Sequence, residues 1–133
     1  MITFEKFRQF EQFVKDTINV RRVYIDMAGG DICAGVLLSQ IVFWNLPDKD
    51  GDEKLRVRHN GKLWLAKTRN DWWNECRLKP RQYDRSIMVL KKVGLVELAV
   101  FKFAGTPTTH IRLNDKVFIE LLESKIKGGI TKR

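Results

Sequence analysis

The spacing of apolar residues predicts a helix near each end of the 133-residue chain. Over residues 4–18 the apolar positions recur every three or four residues, following Thr3, which can cap a helix. The same spacing over 116–126 predicts a last amphipathic helix, capped by Asn114 or Asp115. The N-terminal helix has a broad apolar surface. Packing against its own domain is the favoured expectation for that surface, and contact with a second chain is the alternative.

The most apolar part of the chain lies between these two helices. Residues 32–45 are apolar nearly all round, so they predict a buried helix at the centre of the fold. Asp31 can cap this helix, and the Gly29–Gly30 pair separates it from a connector over 20–28 that is either extended or helical. The apolar run is too short to cross a bilayer, so no membrane association is expected.

The spacing of the apolar residues changes after residue 53, and the new spacing indicates extended structure. In residues 54–67, apolar and polar residues alternate on both sides of the Asn60–Gly61 dipeptide. This pattern predicts a β-hairpin with a type I′ turn. Thr68 with Asp71 resembles a capping box and predicts a short helix over 69–76.

A second helix is predicted directly after this one. Residues 77–79 form a three-residue turn, Pro80 suits the first turn of a helix, and Gly94 suits the end of a helix that runs to about residue 93. Residues 95–114 then predict two strands joined by a tight loop.

Two helices joined by a short turn and followed by a hairpin are the layout of a winged helix-turn-helix. The predicted fold is therefore α+β and mainly helical, a winged helix-turn-helix with an extra N-terminal helix and a C-terminal helix. Its parts are an N-terminal amphipathic helix in 1–20, the winged helix-turn-helix domain in 21–114, a C-terminal helix in 115–127, and a disordered tail or linker start in 128–133.

The excess positive charge is concentrated in the second helix of the pair and the turn before it. Residues 77–92 hold six basic residues and one acidic residue, which is +5 of the net +9 of the chain. The sequence pI of about 9.8 suits a polyanionic partner, more often nucleic acid than an anionic membrane. Acidic residues gather in 46–54, which the Pro and Gly content predicts to be an exposed loop.

In the winged layout the second helix lies in the major groove of DNA. Its inner face is expected to be the apolar stripe of Tyr83, Ile87, Leu90 and Gly94. Arginine pairs bidentately with guanine and glutamine with adenine, so the residues predicted to read bases in double-stranded DNA are Arg81, Gln82 and Arg85. Residues predicted to touch phosphate or to act from the wing, about 101–112, are Thr68, Arg69, Lys79, Ser86, Lys92, Lys102, Thr106, Thr108 and Arg112. The pattern does not decide the partner of Asp84, and Arg81 is one candidate.

Nothing in the sequence predicts an enzyme. Cys33 and Cys76 lack zinc-site spacing, and their apolar surroundings indicate core residues in a reducing cytoplasm. His110 is expected to be a surface or half-buried strand residue with no catalytic role. No catalytic residue, metal site or cofactor is therefore predicted.

Three segments, "DICAGVLLSQIVFWN", "WLAKTRNDWWNECRLKPRQYDRSIMVLKKVGLVE" and "FKFAGTPTTHIRLN", together resemble a known family. They are similar to the winged-helix N-terminal domains of phage and plasmid replication initiation proteins of Gram-positive bacteria, the replisome organisers (DnaD-like). The resemblance covers about residues 20–114 and implies origin DNA binding, assembly as a dimer or larger, and recruitment of other replication proteins through a further C-terminal domain. The chain is therefore expected to be a domain of a longer protein. Lys79 departs from the family, which often has a small capping residue such as Ser there, so the cap must come from elsewhere.

Two other functions stay open. A phage or plasmid transcription regulator would share the same fold and the same DNA-binding helix. A winged-helix protein-interaction module would instead use the N-terminal helix and Trp73. A homodimer through Phe4, Phe7 and Phe10 is also expected to be possible in each case.

Overall fold

The computed structural model describes residues 1–126, so the expected tail in 128–133 and the expected helix end at residue 127 lie outside the described residues. Within that range the chain forms an α+β fold of six helices and a four-stranded antiparallel sheet, which confirms the predicted class. The helices are α1 Phe4–Glu11, α2 Arg22–Met27, α3 Ile32–Asn45, α4 Arg69–Cys76, α5 Pro80–Lys92 and α6 Asp115–Lys125. The strands are β1 Val57–His59, β2 Lys62–Ala66, β3 Val96–Phe103 and β4 Thr106–Leu113. No helix in residues 1–126 combines the length and apolar character needed to cross a membrane.

The helix α3 forms the centre of the core, as its composition predicts. The side chain of Asp31 caps it by accepting a hydrogen bond from the Ala34 N–H at 3.0 Å. The side chains of Leu37, Leu38 and Ile41 are fully buried. The helix packs against α2 and α5. One side of α3 therefore supports α5, the helix that is predicted to bind DNA.

The close approach of α2 to α3 depends on Gly35. A Cβ atom at this position would lie 2.5 Å from Cγ1 and 2.8 Å from Cα of Ile25. Because one of these atoms belongs to the backbone of α2, a larger residue would push the two helices apart. The predicted connector over 20–28 is therefore a short helix held tightly against the core.

The N-terminal helix differs from its prediction in length and in packing. Thr3 caps it as expected, by accepting from the Lys6 N–H at 3.2 Å, but the helix ends at Glu11 instead of extending to residue 18. No residue of α1 is buried, so the expectation that it packs against its own domain is wrong for the described residues.

Two hairpins join into one sheet with the strand order β1-β2-β4-β3. The predicted turn between β1 and β2 is present, and both Asn60 (φ 53°) and Gly61 (φ 72°) have the positive φ that a type I′ turn requires. β2 pairs with β4 through Leu65 opposite Ile111. The position of β4 between β2 and β3 explains one correction. His110 is fully buried, whereas a surface or half-buried residue was expected.

A carboxylate between α3 and α4 fixes the position of the first helix of the pair. Glu75 accepts hydrogen bonds from Gln40 Nε2 at 2.8 Å and from Trp44 Nε1 at 2.9 Å, and Lys67 Nζ lies 2.7 Å from its Oε1. The side chains of Lys67 and Glu75 are each 15% exposed. The network therefore links α3 and α4 to Lys67, the residue directly after β2, through one nearly buried ion pair.

Candidate nucleic-acid interface

The α4–α5 pair is built by local contacts that the sequence predicts well. Thr68 Oγ1 accepts from the Asp71 N–H at 3.2 Å, and the Asp71 carboxylate accepts from the Thr68 N–H at 2.8 Å. This is the expected capping box. Arg77 then takes a left-handed conformation with φ 61°, and α5 begins at Pro80. The hydroxyl of Thr68 is therefore already engaged in capping.

Lys79 makes no side-chain cap, and Gln82 supplies only the reciprocal half of a capping box at the start of α5. Its Oε1 accepts a hydrogen bond from the Lys79 N–H at 2.8 Å. This side-chain bond satisfies one of the backbone N–H groups that a helix start leaves without a partner. The amide oxygen of Gln82 is thus occupied at the start of α5, and pairing with adenine would require it to leave this bond.

The helix α5 has one buried face and one exposed face. Tyr83, Ile87 and Leu90 are buried, as predicted. Burial raises the pKa of Tyr83 to about 12, so the phenol is neutral at physiological pH. The exposed face carries the side chains of Arg81, Asp84, Arg85, Met88, Lys91 and Lys92.

The prediction that Ser86 touches phosphate is wrong, because its side chain is fully buried. α5 contacts α3, α4 and β3, so its buried face is wider than the three large apolar residues indicate. Ser86 lies on this face beside Tyr83 and Ile87, at the helical spacing of three residues and of one. A small side chain suits this fully buried position between packed elements.

Three of the predicted DNA contacts form ion pairs within the protein, and two of them, Arg85 and Arg69, lie on α5 and α4. Arg85 donates to the carboxylate of Asp31, with Nη2 3.3 Å from Oδ1 and Nη1 in close contact with Oδ2. The Arg85 guanidinium, together with the Ala34 N–H, lowers the pKa of Asp31. Arg69 pairs with Asp84 at 2.7 Å, so Asp84 has a partner other than Arg81.

Arg81, in contrast, is exposed and forms no salt bridge within the part of the chain that the structure describes. Lys79 and Lys92 are exposed in the same way. These three cations are available to an anion without breaking an internal contact. The residues that bind an external phosphate or base at the least cost are therefore at both ends of α5.

A cleft of about 460 Å³ separates α5 from the β3–β4 hairpin. Its walls come from the start of α4, the middle of α5 and the β4 segment from Thr106 to Thr109. The predicted wing residues take different positions around it. Lys102 and Thr106 are exposed near the hairpin tip, whereas Thr108 is buried and donates to the Thr106 carbonyl at 3.1 Å. The prediction of Thr108 as a contact residue is therefore wrong, since its side chain is buried and its hydroxyl is already engaged. Arg112 is partly buried and pairs with Glu97 at 2.9 Å.

Comparisons with protein-family models, curated proteins and solved structures find no match. The side chains themselves indicate what the surface can do. Within residues 1–126 no group of three or more His, Cys, Asp or Glu converges as a metal site. Cys76 is partly buried, and burial raises the pKa of its thiol, which makes it a weak nucleophile.

Sequence reasoning missed three residues of this surface. Met88 and Lys91 continue the exposed line of Arg81, Asp84 and Arg85 at intervals of three or four residues, so helical periodicity alone could have found them. Asp31 had been identified as a cap, but its contact with Arg85 joins residues 54 positions apart. No local pattern encodes such a contact.

Proposed function

We propose that this chain is a winged helix-turn-helix domain that binds double-stranded DNA, with α5 in the major groove and the β3–β4 hairpin as a wing on the backbone or minor groove. The observation that carries the proposal is the division of α5 into a buried apolar face and an exposed face with four basic residues. An exposed helix face of this charge fits the width of the major groove and its phosphate walls.

The roles of individual residues follow from their contacts. Arg81, near the start of α5, has its full guanidinium available for the O6 and N7 atoms of guanine. Lys79, Lys91, Lys92 and Lys102 act as phosphate contacts that set the register. Arg85 has to exchange Asp31 for DNA or donate its remaining N–H groups, so it contributes less than Arg81 unless Asp31 holds it in a productive orientation. Arg69 would likewise have to exchange Asp84 for DNA or donate its remaining N–H groups.

The biological role that we propose is initiation of replication in a phage or plasmid. This part of the proposal rests on the resemblance of residues 20–114 to replisome organisers. The activity would consist of positioning the chain at an origin and recruiting other replication proteins, with no covalent chemistry. A transcription regulator would use α5 in the same way, so the identity of the DNA site would distinguish the two roles.

A second candidate function is a protein-interaction module, and two exposed apolar features favour it. Trp73 is 42% exposed on α4, with the Arg77 guanidinium 5.1 Å from its ring centroid. The stripe of α1 is exposed as well. Binding through such surfaces would depend weakly on salt, whereas binding to DNA falls steeply as salt rises.

Fluorescence anisotropy with a labelled random duplex, between about 50 and 200 mM salt, tests the proposal. Each phosphate contact adds about 0.9 to the slope of log K against log salt. An Arg81→Ala/Arg85→Ala variant should lose at least about tenfold in affinity, since one bidentate arginine–base contact contributes about 1–3 kcal/mol.

The matched control is Lys116→Ala/Lys125→Ala, which removes the same charge from exposed positions on α6. We expect it to bind nearly as tightly as the native chain. Equal losses in the two variants would mean that the net charge alone causes binding, and α5 would not be the interface. Absence of binding by the native chain at the lowest salt would refute the proposed function.

A further inference from the structure

The β1–β2 hairpin lies on the face of the sheet opposite α5. Successive side chains of a strand point to opposite faces, so Leu98 and Phe101 of β3 lie on different faces of the sheet. Leu98 lines the cleft beside α5. Phe101 contacts the β1–β2 hairpin instead, with its ring centroid 4.0 Å from that of His59 and 5.4 Å from that of Trp64. The hairpin therefore forms a surface separate from the helix that we propose to lie in the major groove.

This second surface is basic, and its cations are not used within the protein. Residues 54–62 contain four basic residues and no acidic residue. Arg56, Arg58 and Lys62 are exposed and form no salt bridge within residues 1–126. These side chains can bind phosphate groups of a ligand without leaving an internal ion pair, unlike Arg69 and Arg85.

A cavity of about 170 Å³ opens between this hairpin, the end of α3 and the end of β3. Its lining includes three aromatic and three basic residues: Trp44, Trp64, Phe103, Lys54, Arg56 and Lys67. No acidic residue of the described chain lines it. Sites for drug-sized ligands measure about 300–1,000 Å³, so this cavity suits one planar ring system. Aromatic walls beside basic side chains fit the chemistry of a nucleobase and its adjoining phosphate.

Two residues of the lining are available to a ligand. The ring of Phe103 is 45% exposed and packs against His110 with centroids 6.1 Å apart. Trp44 is less accessible, because Lys67 Nζ lies 4.4 Å from the centroid of its ring. The guanidinium of Arg56 is exposed, whereas Lys67 is paired with a carboxylate. A base can therefore stack on Phe103 while its phosphate meets Arg56.

We propose that the hairpin surface, defined as Arg56, Arg58, Lys62 and Phe103, binds single-stranded nucleic acid. One base enters the cavity against Phe103, and the flanking phosphates lie on the basic residues. The bases of a duplex are stacked and paired inside the helix, whereas a single strand presents them to aromatic side chains. The proposal is independent of the binding of double-stranded DNA by α5, because the two surfaces share no residue.

The acidic loop close to the cavity weakens this binding. Hydrogen bonds from the Asp52 and Asp50 N–H groups lower the pKa of Asp48, and the charges of Arg56 and Lys54 contribute in the same direction. The Asp48 carboxylate is therefore near enough to compete with phosphate for these basic residues. We expect a modest affinity that falls as salt rises, with a slope of about 0.7 in log K against log salt for each phosphate of a single strand.

Fluorescence anisotropy of the full chain with a labelled oligothymidine of about 12 nucleotides tests the proposal. Arg56→Ala/Phe103→Ala should lose at least about tenfold in affinity for this single strand, since both the stacking ring and a phosphate contact are removed. Its affinity for the random duplex should stay nearly native, which also shows that the variant is folded. Arg81→Ala/Arg85→Ala should show the opposite pattern, so failure of one proposed surface is distinguishable from failure of the other.

Arg8→Ala/Phe13→Ala is the matched control, because it removes one exposed arginine and one exposed phenylalanine far from the hairpin in sequence. It should bind oligothymidine as the native chain does. An equal loss in this control and in Arg56→Ala/Phe103→Ala would overturn the proposal, as would a hairpin variant that loses duplex and single strand to the same extent.

A labelled oligouridine of the same length distinguishes the two sources of single strand. Tighter binding of oligouridine would support the site with RNA as its ligand, and tighter binding of oligothymidine would support it with DNA. A native chain that binds neither oligonucleotide at about 50 mM salt would overturn the proposal, whatever its affinity for the duplex.

Discussion

Replacement of Glu75 by alanine should be one of the most destabilising single substitutions outside the apolar core. The carboxylate accepts from Gln40 Nε2 at 2.8 Å and Trp44 Nε1 at 2.9 Å and pairs with Lys67 Nζ at 2.7 Å. Gln40 is buried, and Lys67 is 15% exposed, so neither donor finds full hydration when the carboxylate is removed. Loss of one partner from a buried ion pair costs about 3–5 kcal/mol. Because Lys67 keeps some contact with water, we expect a value near 3 kcal/mol.

Urea unfolding of the full chain measures this change. The midpoint should fall while the slope m stays constant, because the area exposed on unfolding is nearly the same. The melting temperature should fall by roughly 10 °C for a chain of this size. Glu123→Ala, at an exposed position on α6, is the control and should change stability by less than about 0.5 kcal/mol.

A second substitution distinguishes the effect of losing the carboxylate from the effect of leaving Lys67 without a partner. Adding Lys67→Met to Glu75→Ala removes the unpaired cation and should restore part of the lost stability. If Glu75→Ala costs less than about 1 kcal/mol, the carboxylate does not hold α3, α4 and the residue after β2 together as described.

Two further substitutions probe the ends of the helices. Asp31→Ala removes the cap of α3 and the partner of Arg85, and it should cost about 1–2 kcal/mol near neutral pH, measured by thermal unfolding. Because the pKa of Asp31 is lowered in the folded state, its contribution is fully present above the unfolded pKa of about 3.9 and is lost as pH falls through the folded value. The difference in stability between the native chain and the variant should therefore shrink as the pH falls, and a difference that stays constant in acid would contradict the ion pair. Gln82→Ala should cost about 0.5–1 kcal/mol in urea, since the Lys79 N–H loses its acceptor; an unchanged midpoint would mean that water replaces this cap fully.

Features that depend on neighbours a few residues apart could be predicted from the sequence. The caps at Asp31 and Thr68, the Asn60–Gly61 turn and the start of α5 at Pro80 all agree with expectation. Each is decided by a side chain and a backbone group within four residues, or by the φ preference of the residue itself. These contacts form whenever the segment takes its local conformation.

Hydrophobic periodicity was reliable where one face of a helix meets the core. It identified the buried stripe of Tyr83, Ile87 and Leu90 on α5. It was misleading for residues 4–18, because the same spacing arises whether an apolar stripe packs on its own domain or binds another molecule. The pattern therefore predicts that burial of a surface is favourable, without indicating which molecule or segment covers it.

The tertiary structure alone decided which of the basic and polar residues of α5 are available. Ser86 is buried because α3, α4 and β3 all pack on this helix, and Arg85 meets Asp31 because α3 begins beside α5. Both outcomes depend on contacts between segments far apart in the sequence, whose geometry is set by packing of the whole core. The amino-acid sequence by itself determined the elements, their caps and the excess of positive charge on one helix. The packing of those elements determined that Arg81 is free while Arg85 is paired, since only the assembled fold brings the Asp31 carboxylate within reach.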